Sequence, residues 1–337
     1  MSNPATARPV GPVPPDVLYR ALEQALRAPS VHNTQPWRWR IGEDAAELHA
    51  DWNRHLVGTD PDRRDLVISC GAALDHLRVA LARLGWGAST ERLPDPENPA
   101  HLATVRPGHK RVDRRDVGLA VAIERRRTDR RRLSARPVPP GIVASLVGQA
   151  ARHRTRLHPV AEEQARDRLV AALAEAARRQ QYTPGYPAEL AIWTRRCTAA
   201  HDGIPRASVP DAGADQDSPG LRRFPRGRLF AHPRRLEPDA EAATFMVVTT
   251  AGDGVVDQLR AGEATSAVLL AATRIGLACT PLSQAVEVGY TRRQLAEQIL
   301  HVSGHPQLII RIGWAQEGAA ELPATPRRPL AFVLMPG

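Results

Sequence analysis

Hydrophobic positions along the chain recur with two periods, and the changes of period divide it into elements. Over 16–27 they fall at Val17, Leu18, Ala21, Leu22, Ala25 and Leu26, one face of a helix that Pro29 ends. "PWRWRI" (36–41) and "AELHAD" (46–51) alternate residue by residue, as two strands of a hairpin around "GED". The pattern then predicts a long buried helix over 66–85, a loop over 95–100, and helices over about 117–127, 139–151 and 162–181. A polar, Pro-broken stretch occupies 201–240 and begins "HDGIPRASVPDAGADQDSPG". Beyond it, "ATFMVVTTAGD" reads as a strand, "GEATSAVLLAATRIG" as a buried helix and "PQLIIRIGW" as a final strand. Residues 1–15 form a Pro-rich leader expected to be disordered.

Two of these helices resemble each other. "GAALDHLRVALARLGW" (71–86) aligns without a gap on "GEATSAVLLAATRIGL" (262–277), matching Gly71 with Gly262, Ala73 with Ala264, Ala80 with Ala271, Arg83 with Arg274 and Gly85 with Gly276. Alanine-rich helices match by chance because they share a period. Here both copies also end in Gly at the same place, where a helix C-cap takes positive φ. A duplicated half is the working expectation.

Composition narrows the class. The 337 residues, 42% of them hydrophobic, give room for a substantial core. A net charge of +10 raises the question of nucleic acid, yet of the 46 basic residues only Lys110 is lysine. That bias reads as codon composition, and 4% aromatics leave few platforms for base stacking, so nucleic-acid binding is not favoured. The run "ERRRTDRRR" (124–132) by itself reads as a solvated helix face. No apolar run approaches the ~20 residues that span a bilayer, "MSNPATARPVGPVPP" lacks a signal-peptide core, and a cytoplasmic protein is expected. Cys70, Cys197 and Cys279 have no metal-ligand spacing and are expected to be free thiols used in packing.

Four short motifs then point the same way. "APSVHNTQPW" (28–37) resembles the Pro-Ser-x-x-Asn-x-Gln-Pro-Trp signature of the nitroreductase family, FMN-dependent flavoproteins that work as intertwined homodimers. "RRTDR" (126–130) resembles its Arg-Arg-Ser-x-Arg motif, "GLACTPLSQ" (276–284) the loop beside the flavin ring, and "PRRPL" (326–330) its C-terminal phosphate-binding segment. The order of the pieces is most similar to the Acg-like branch, which fuses two nitroreductase-type halves. The resemblance implies an α+β nitroreductase-like fold with antiparallel or mixed sheets flanked by helices. It implies one half over 16–115 and another over 116–337, mimicking the family's homodimer within a monomer or a weak homodimer. The first half carries the Ser/Asn loop without the arginines ahead of it, and the second the arginines without that loop. One FMN per chain follows.

By the same resemblance, Arg126, Thr128 and Arg328 are candidates for the FMN phosphate, with Arg127 and Arg327 beside them. Arginine suits a phosphate because its planar fork donates two parallel hydrogen bonds. Arg130 aligns with the basic residue near flavin N1 and O2, where positive charge favours the reduced ring. Ser30, Asn33 and Gln35 offer hydroxyl and amide groups for the ribityl chain and the polar ring edge, although alone they would read as a turn. His32 is read as a packing or backbone contact before a catalytic acid. Pro281, Leu282, Ser283 and Gln284 match the loop whose backbone amide approaches flavin N5. No protein general acid is expected, because the cofactor carries the chemistry. The implied activity is hydride transfer from a reduced nicotinamide through FMN to a quinone or nitro acceptor. The alternative is flavin storage with little turnover, residues 201–238 folding over the ring as a lid.

Overall fold

The computed structural model describes residues 13–108, 111–194, 200–210, 221, 222, 224, 229 and 241–336. Helix α1 (Pro15–Ala25) leads into strands β1 (Trp37–Ile41) and β2 (Ala46–Ala50), the central helix α2 (Arg64–Arg83), and strands β3 (Gly87–Arg92) and β4 (His101–Gly108). Helices α3 (Arg114–Ala120) and α4 (Pro140–Ala151), strand β5 (Arg156–Val160), and helices α5 (Glu163–Gln180) and α6 (Tyr186–Thr194) follow. The chain continues through β6 (Thr244–Thr250), α7 (Val255–Arg274), β7 (Ala278–Leu282), the short helices α8 (Gln284–Glu287) and α9 (Gly289–Gln294), and β8 (His305–Gly313).

The strands form two antiparallel sheets of four, ordered β1-β2-β4-β3 and β5-β6-β8-β7. Each arises from the same sequence of strand, strand, long helix, strand, strand. The likeness extends to irregularities, since the ladder shifts between Leu48 and His49 in one sheet and between Val248 and Thr249 in the other. Both long helices end alike: Gly85 and Gly276 have φ of 88° and 87°, Trp86 N–H donates to Leu81 O, and Leu277 N–H donates to Ala272 O. The duplication legible in the helices is therefore present in the whole α+β fold.

Helices α2 and α7 pack on each other through the middle of the molecule, and their apolar residues join one continuous core. In β1 the alternation buries Trp37 and Trp39 completely and turns Arg38 and Arg40 outward. The C-terminal segment then returns to the first sheet: Trp39 N–H donates to Val333 O at 2.8 Å, and Met335 N–H donates to Trp39 O at 2.7 Å. That return carries Arg327 and Arg328 to the loop after α1.

Several expectations need correction. The helix drawn over 117–127 ends at Ala120, and 126–131 is irregular chain lying along β7, where Asp129 N–H donates to Cys279 O at 3.0 Å. "ERRRTDRRR" is thus no solvated helix face, since Arg126 is buried. The "GLACTPLSQ" loop is largely strand β7. Strands β3, β4 and β5 and helix α6 carried no sequence signal read as such. Cys70 and Cys279 are buried and free, as expected of packing residues, while Cys197 lies outside the described residues. Among the described residues no helix is long and apolar enough to cross a membrane.

Candidate functional site

The loop after α1 adopts a conformation its residues do not favour. Pro29 cannot continue the helix, a 3-10 turn covers Val31–Asn33, and His32, Asn33 and Gln35 all have positive φ, at 46°, 55° and 51°. Left-handed backbone costs a non-glycine residue about 1 kcal/mol or more, so neighbours must impose it. They do so by hydrogen bonds. Gln35 N–H donates to Ser30 Oγ at 2.9 Å and Val31 N–H to Ser69 Oγ at 3.0 Å. Asn33 Nδ2 donates to Gly203 O at 2.9 Å and Pro326 O at 3.2 Å, tying the loop to two distant segments.

This loop forms one wall of a cavity of about 1100 Å³, counted with its solvent-open mouth. Ser30, His32 and Asn33 line it from the first half of the chain; Arg126, Thr128, Arg130, Arg327 and residues 281–284 line it from the second. The two helices meet the cavity through Ser69 and Asp65 of α2 and Thr265 of α7.

At one end the wall is cationic and unsatisfied. Arg126 is 5% exposed, and its Nε and Nη1 find no hydrogen-bond acceptor among the described residues. Arg327 Nε is likewise without a partner. Burial, and then the charge of Arg126, pulls the Arg327 guanidinium down to about 9; burial pulls Arg126 down to about 10. A buried and a half-buried cation that repel each other and have no counter-charge among the described residues form a site that an anion would complete. Arg130, pulled down to about 10 by burial and Arg222, stands further along the wall, donating to Ser208 O and stacking over Phe224 at 5.1 Å.

The opposite end is a hydrogen-bonded polar network. Arg222 is ion-paired with Glu287 and donates to Tyr186 Oη at 3.2 Å, and its Nη1 lies 3.1 Å from His32 Nε2. Ser283 Oγ donates to Glu287 Oε1 at 2.6 Å, and Gln284 Nε2 to Gln180 Oε1 at 2.9 Å. Burial, then Arg222 and Arg130, holds His32 well below the usual histidine range, so its ring is neutral at physiological pH. Ile204, Pro205, Ser208, Leu221, Arg222 and Phe224 of the long polar segment also line the cavity. Most of 201–238 lies outside the described residues.

Three sequence candidates do not line the cavity. Gln35 lies behind it, fully buried, with Nε2 donating to His201 O at 2.9 Å and Oε1 accepting from Arg328 N–H at 2.8 Å. Arg328 is held by Gln35 O, Phe332 O and Asp51, and with Arg126, Arg127 and Arg327 it lines a second pocket. Arg127 turns outward to the carbonyls of Glu124 and Leu322. Of the two arginines of the C-terminal segment, Arg327 is the one that lines this cavity. Sequence reasoning missed Asp65, Ser69, Thr265 and Arg222. The first three are buried polar residues within the largely buried helices α2 and α7, where sequence alone does not tell them from the other polar positions; Arg222 leaves no signal.

No family model matches the chain. The Mycobacterium tuberculosis protein named "Putative NAD(P)H nitroreductase Rv3131" is 42% identical over 313 residues, covering 93% of this chain and 89% of that protein. "Putative NAD(P)H nitroreductase acg" of the same organism is 35% identical over 325 residues, covering 94% of each. Among solved structures, the FMN-dependent nitroreductase NfnB from Mycobacterium smegmatis in complex with NADPH is similar at 16% identity and a TM-score of 0.41, covering 65% of this chain and 98% of that one.

Proposed function

Since the chain belongs to the nitroreductase family, we propose that it binds one FMN per chain, without a covalent bond, and works as an NAD(P)H-dependent oxidoreductase on electron-poor acceptors such as quinones or nitro compounds. The observation that carries this reading is the pair of guanidinium groups at one end of the cavity, buried Arg126 with Nε and Nη1 and half-buried Arg327 with Nε lacking acceptors among the described residues. Their chemistry fits a phosphate dianion. The group polar at one end and flat and apolar along its length also fits walls made of Ile68, Ala72, Pro281 and Leu282.

FMN supplies the hydride-accepting ring. The chain supplies the rest. Arg126, Arg327 and Thr128 hold the phosphate, and Ser30 and Asn33 face the ribityl hydroxyls, Asn33 with an unpartnered buried Oδ1. Arg130 places positive charge along the ring edge, which favours the reduced form. His32, kept neutral, acts through packing and its Arg222 contact.

One FMN per chain rests on the split of the lining residues between the two halves, and the halves are proposed to divide near residue 115. The test is reconstitution of the full chain with FMN, quantification of flavin and protein, and anaerobic addition of NADPH. One equivalent of flavin that bleaches supports the reading; two tightly bound flavins, or none, overturn it. Flavin that binds but does not bleach would favour the storage reading. That alternative has its own observation: Arg222 and Phe224 of the long segment lie against His32 and Arg130, as a lid would.

A further inference from the structure

A second cluster of ligating side chains lies on the first sheet. Glu47 and His49 stand two apart on β2, hence on one face, and His101 of β4 is the register partner of His49. The two imidazoles stack with centroids 4.5 Å apart, His49 Nε2 lies 3.1 Å from Glu47 Oε2, and one ligand atom from each of the three falls within 4.8 Å of the others. None of the three lines the cavity.

We propose that Glu47, His49 and His101 bind a divalent cation of borderline softness, Zn²⁺ being the type. Two imidazoles and one carboxylate are a donor set suited to zinc, leaving a fourth position for water. A tetrahedral ion with bonds of about 2.0–2.2 Å spaces its donors about 3.3–3.6 Å apart. The Glu47–His49 contact of 3.1 Å is already near that, and the widest gap closes by about an ångström of side-chain movement. His101 Nε2 lies 2.9 Å from Thr104 Oγ1, which fixes the ring beside that of His49. Positive groups on this face are Arg38, the register partner of His49 on β1, and Arg40, whose Nη1 reaches Glu47 Oε2 at 3.2 Å. The Arg40 side chain is 42% exposed, free to swing into water as the cation enters.

The duplicated fold supplies an internal control. The ladder shifts after Leu48 and after Val248 make Glu47, His49 and His101 correspond to Val247, Thr249 and Pro306 of the second sheet. The second half builds the same bulge with no ligating side chain, so neither the sheet nor its bulge requires this trio. A cation there would pin β2 to β4 beside the 93–100 connection.

The test uses the full chain, stripped with a chelator and titrated with Zn²⁺ by calorimetry. We expect one tight equivalent that raises the melting temperature, with His101→Gln and Glu47→Gln each weakening it at least ~10-fold. His158→Gln, which removes a histidine hydrogen-bonded to Thr249 on the second sheet, leaves it unchanged. Glu47→Gln keeps the side chain's shape at a half-buried strand position, so the comparison survives should His101→Gln fail to fold. Equal Zn²⁺ affinity in the parent and both variants, or no binding to the parent, overturns the proposal.

Discussion

Gly71 and Gly262 face each other across the contact of α2 and α7: a Cβ built on Gly71 would lie 3.0 Å from the Gly262 Cα, and one built on Gly262 2.8 Å from the Gly71 Cα. The relation is reciprocal around them. The Gly71 Cβ would collide with the carbonyl of Leu259 and the Gly262 Cβ with that of Ile68, and Leu259 and Ile68 are themselves matched by the repeat. Asp75 and Ser266, also matched, are joined by a 2.6 Å hydrogen bond. Self-matching contacts of this kind mark the axis of an isologous pair, here within one chain.

Gly71→Ala and Gly262→Ala therefore each push backbone against backbone. Each is expected to cost about 1–3 kcal/mol, toward the upper end because no flexible side chain can give way. Gly148 in α4 meets nothing within 4 Å, and Gly148→Ala is expected to stabilise by up to about 1 kcal/mol. Urea unfolding of the three variants checks the contrast; equal effects would deny the close approach.

Arg126→Ala is expected to weaken FMN retention ten- to a hundred-fold, about 1.5–3 kcal/mol, by removing a charge-assisted contact to the phosphate. Arg131→Ala should leave it unchanged, because Arg131 is committed to Asp129 at 2.8 Å and to Ala320 O. In flavin-free protein Arg126→Met should raise stability, since it removes buried donors that lack acceptors. Equal flavin loss in the Arg126 and Arg131 variants would make the run a diffuse basic patch.

Stability should pass through a maximum near neutral pH. Buried His32, His76 and His153 are held below the ordinary histidine value, chiefly by burial, so the unfolded chain takes up protons first and stability falls as pH drops below about 6.5. Asp60 and Asp65 are pushed up by burial, and Asp60 also by the Asp65 charge. Raised carboxyls stay protonated in the folded chain after the unfolded one has ionised, so stability is lost as pH rises above about 4. Above pH ~7 the histidines contribute no slope, and the remaining fall belongs to the aspartates. Burial raises Asp60 to about 9 and Asp65 only to about 7, so Asp60→Asn should flatten the fall in urea midpoints taken from pH 7 to 9; an unchanged slope would acquit Asp60.

Arg222→Ala removes the contacts to Glu287, Tyr186 and His32 that hold the long segment against the cavity. Stopped-flow reduction by NADPH, and reoxidation by bulky acceptors, should accelerate several-fold with FMN content unchanged, and shortening 201–238 should do the same. Unaltered rates with flavin still bound would show that the segment is no lid.

Sequence alone determined the hairpin, the long helices, their duplication and the order of the motifs, because periodicity and capping are local and survive without tertiary context. "PWRWRI" alternates because Trp37 and Trp39 face a core, and Gly85 and Gly276 stand where any helix would end in a left-handed residue. Tertiary structure decided β3, whose "GASTER" is half-buried and so shows no clean alternation. It also decided which arginine of each motif turns inward. Arg126 and Arg127 are adjacent, as are Arg327 and Arg328, and neighbouring residues in irregular chain have no period to tell inside from outside. The choice was made by acceptors remote in sequence: Gln35 and Asp51 hold Arg328, Leu322 O holds Arg127, and Arg126 and Arg327 are left facing the cavity.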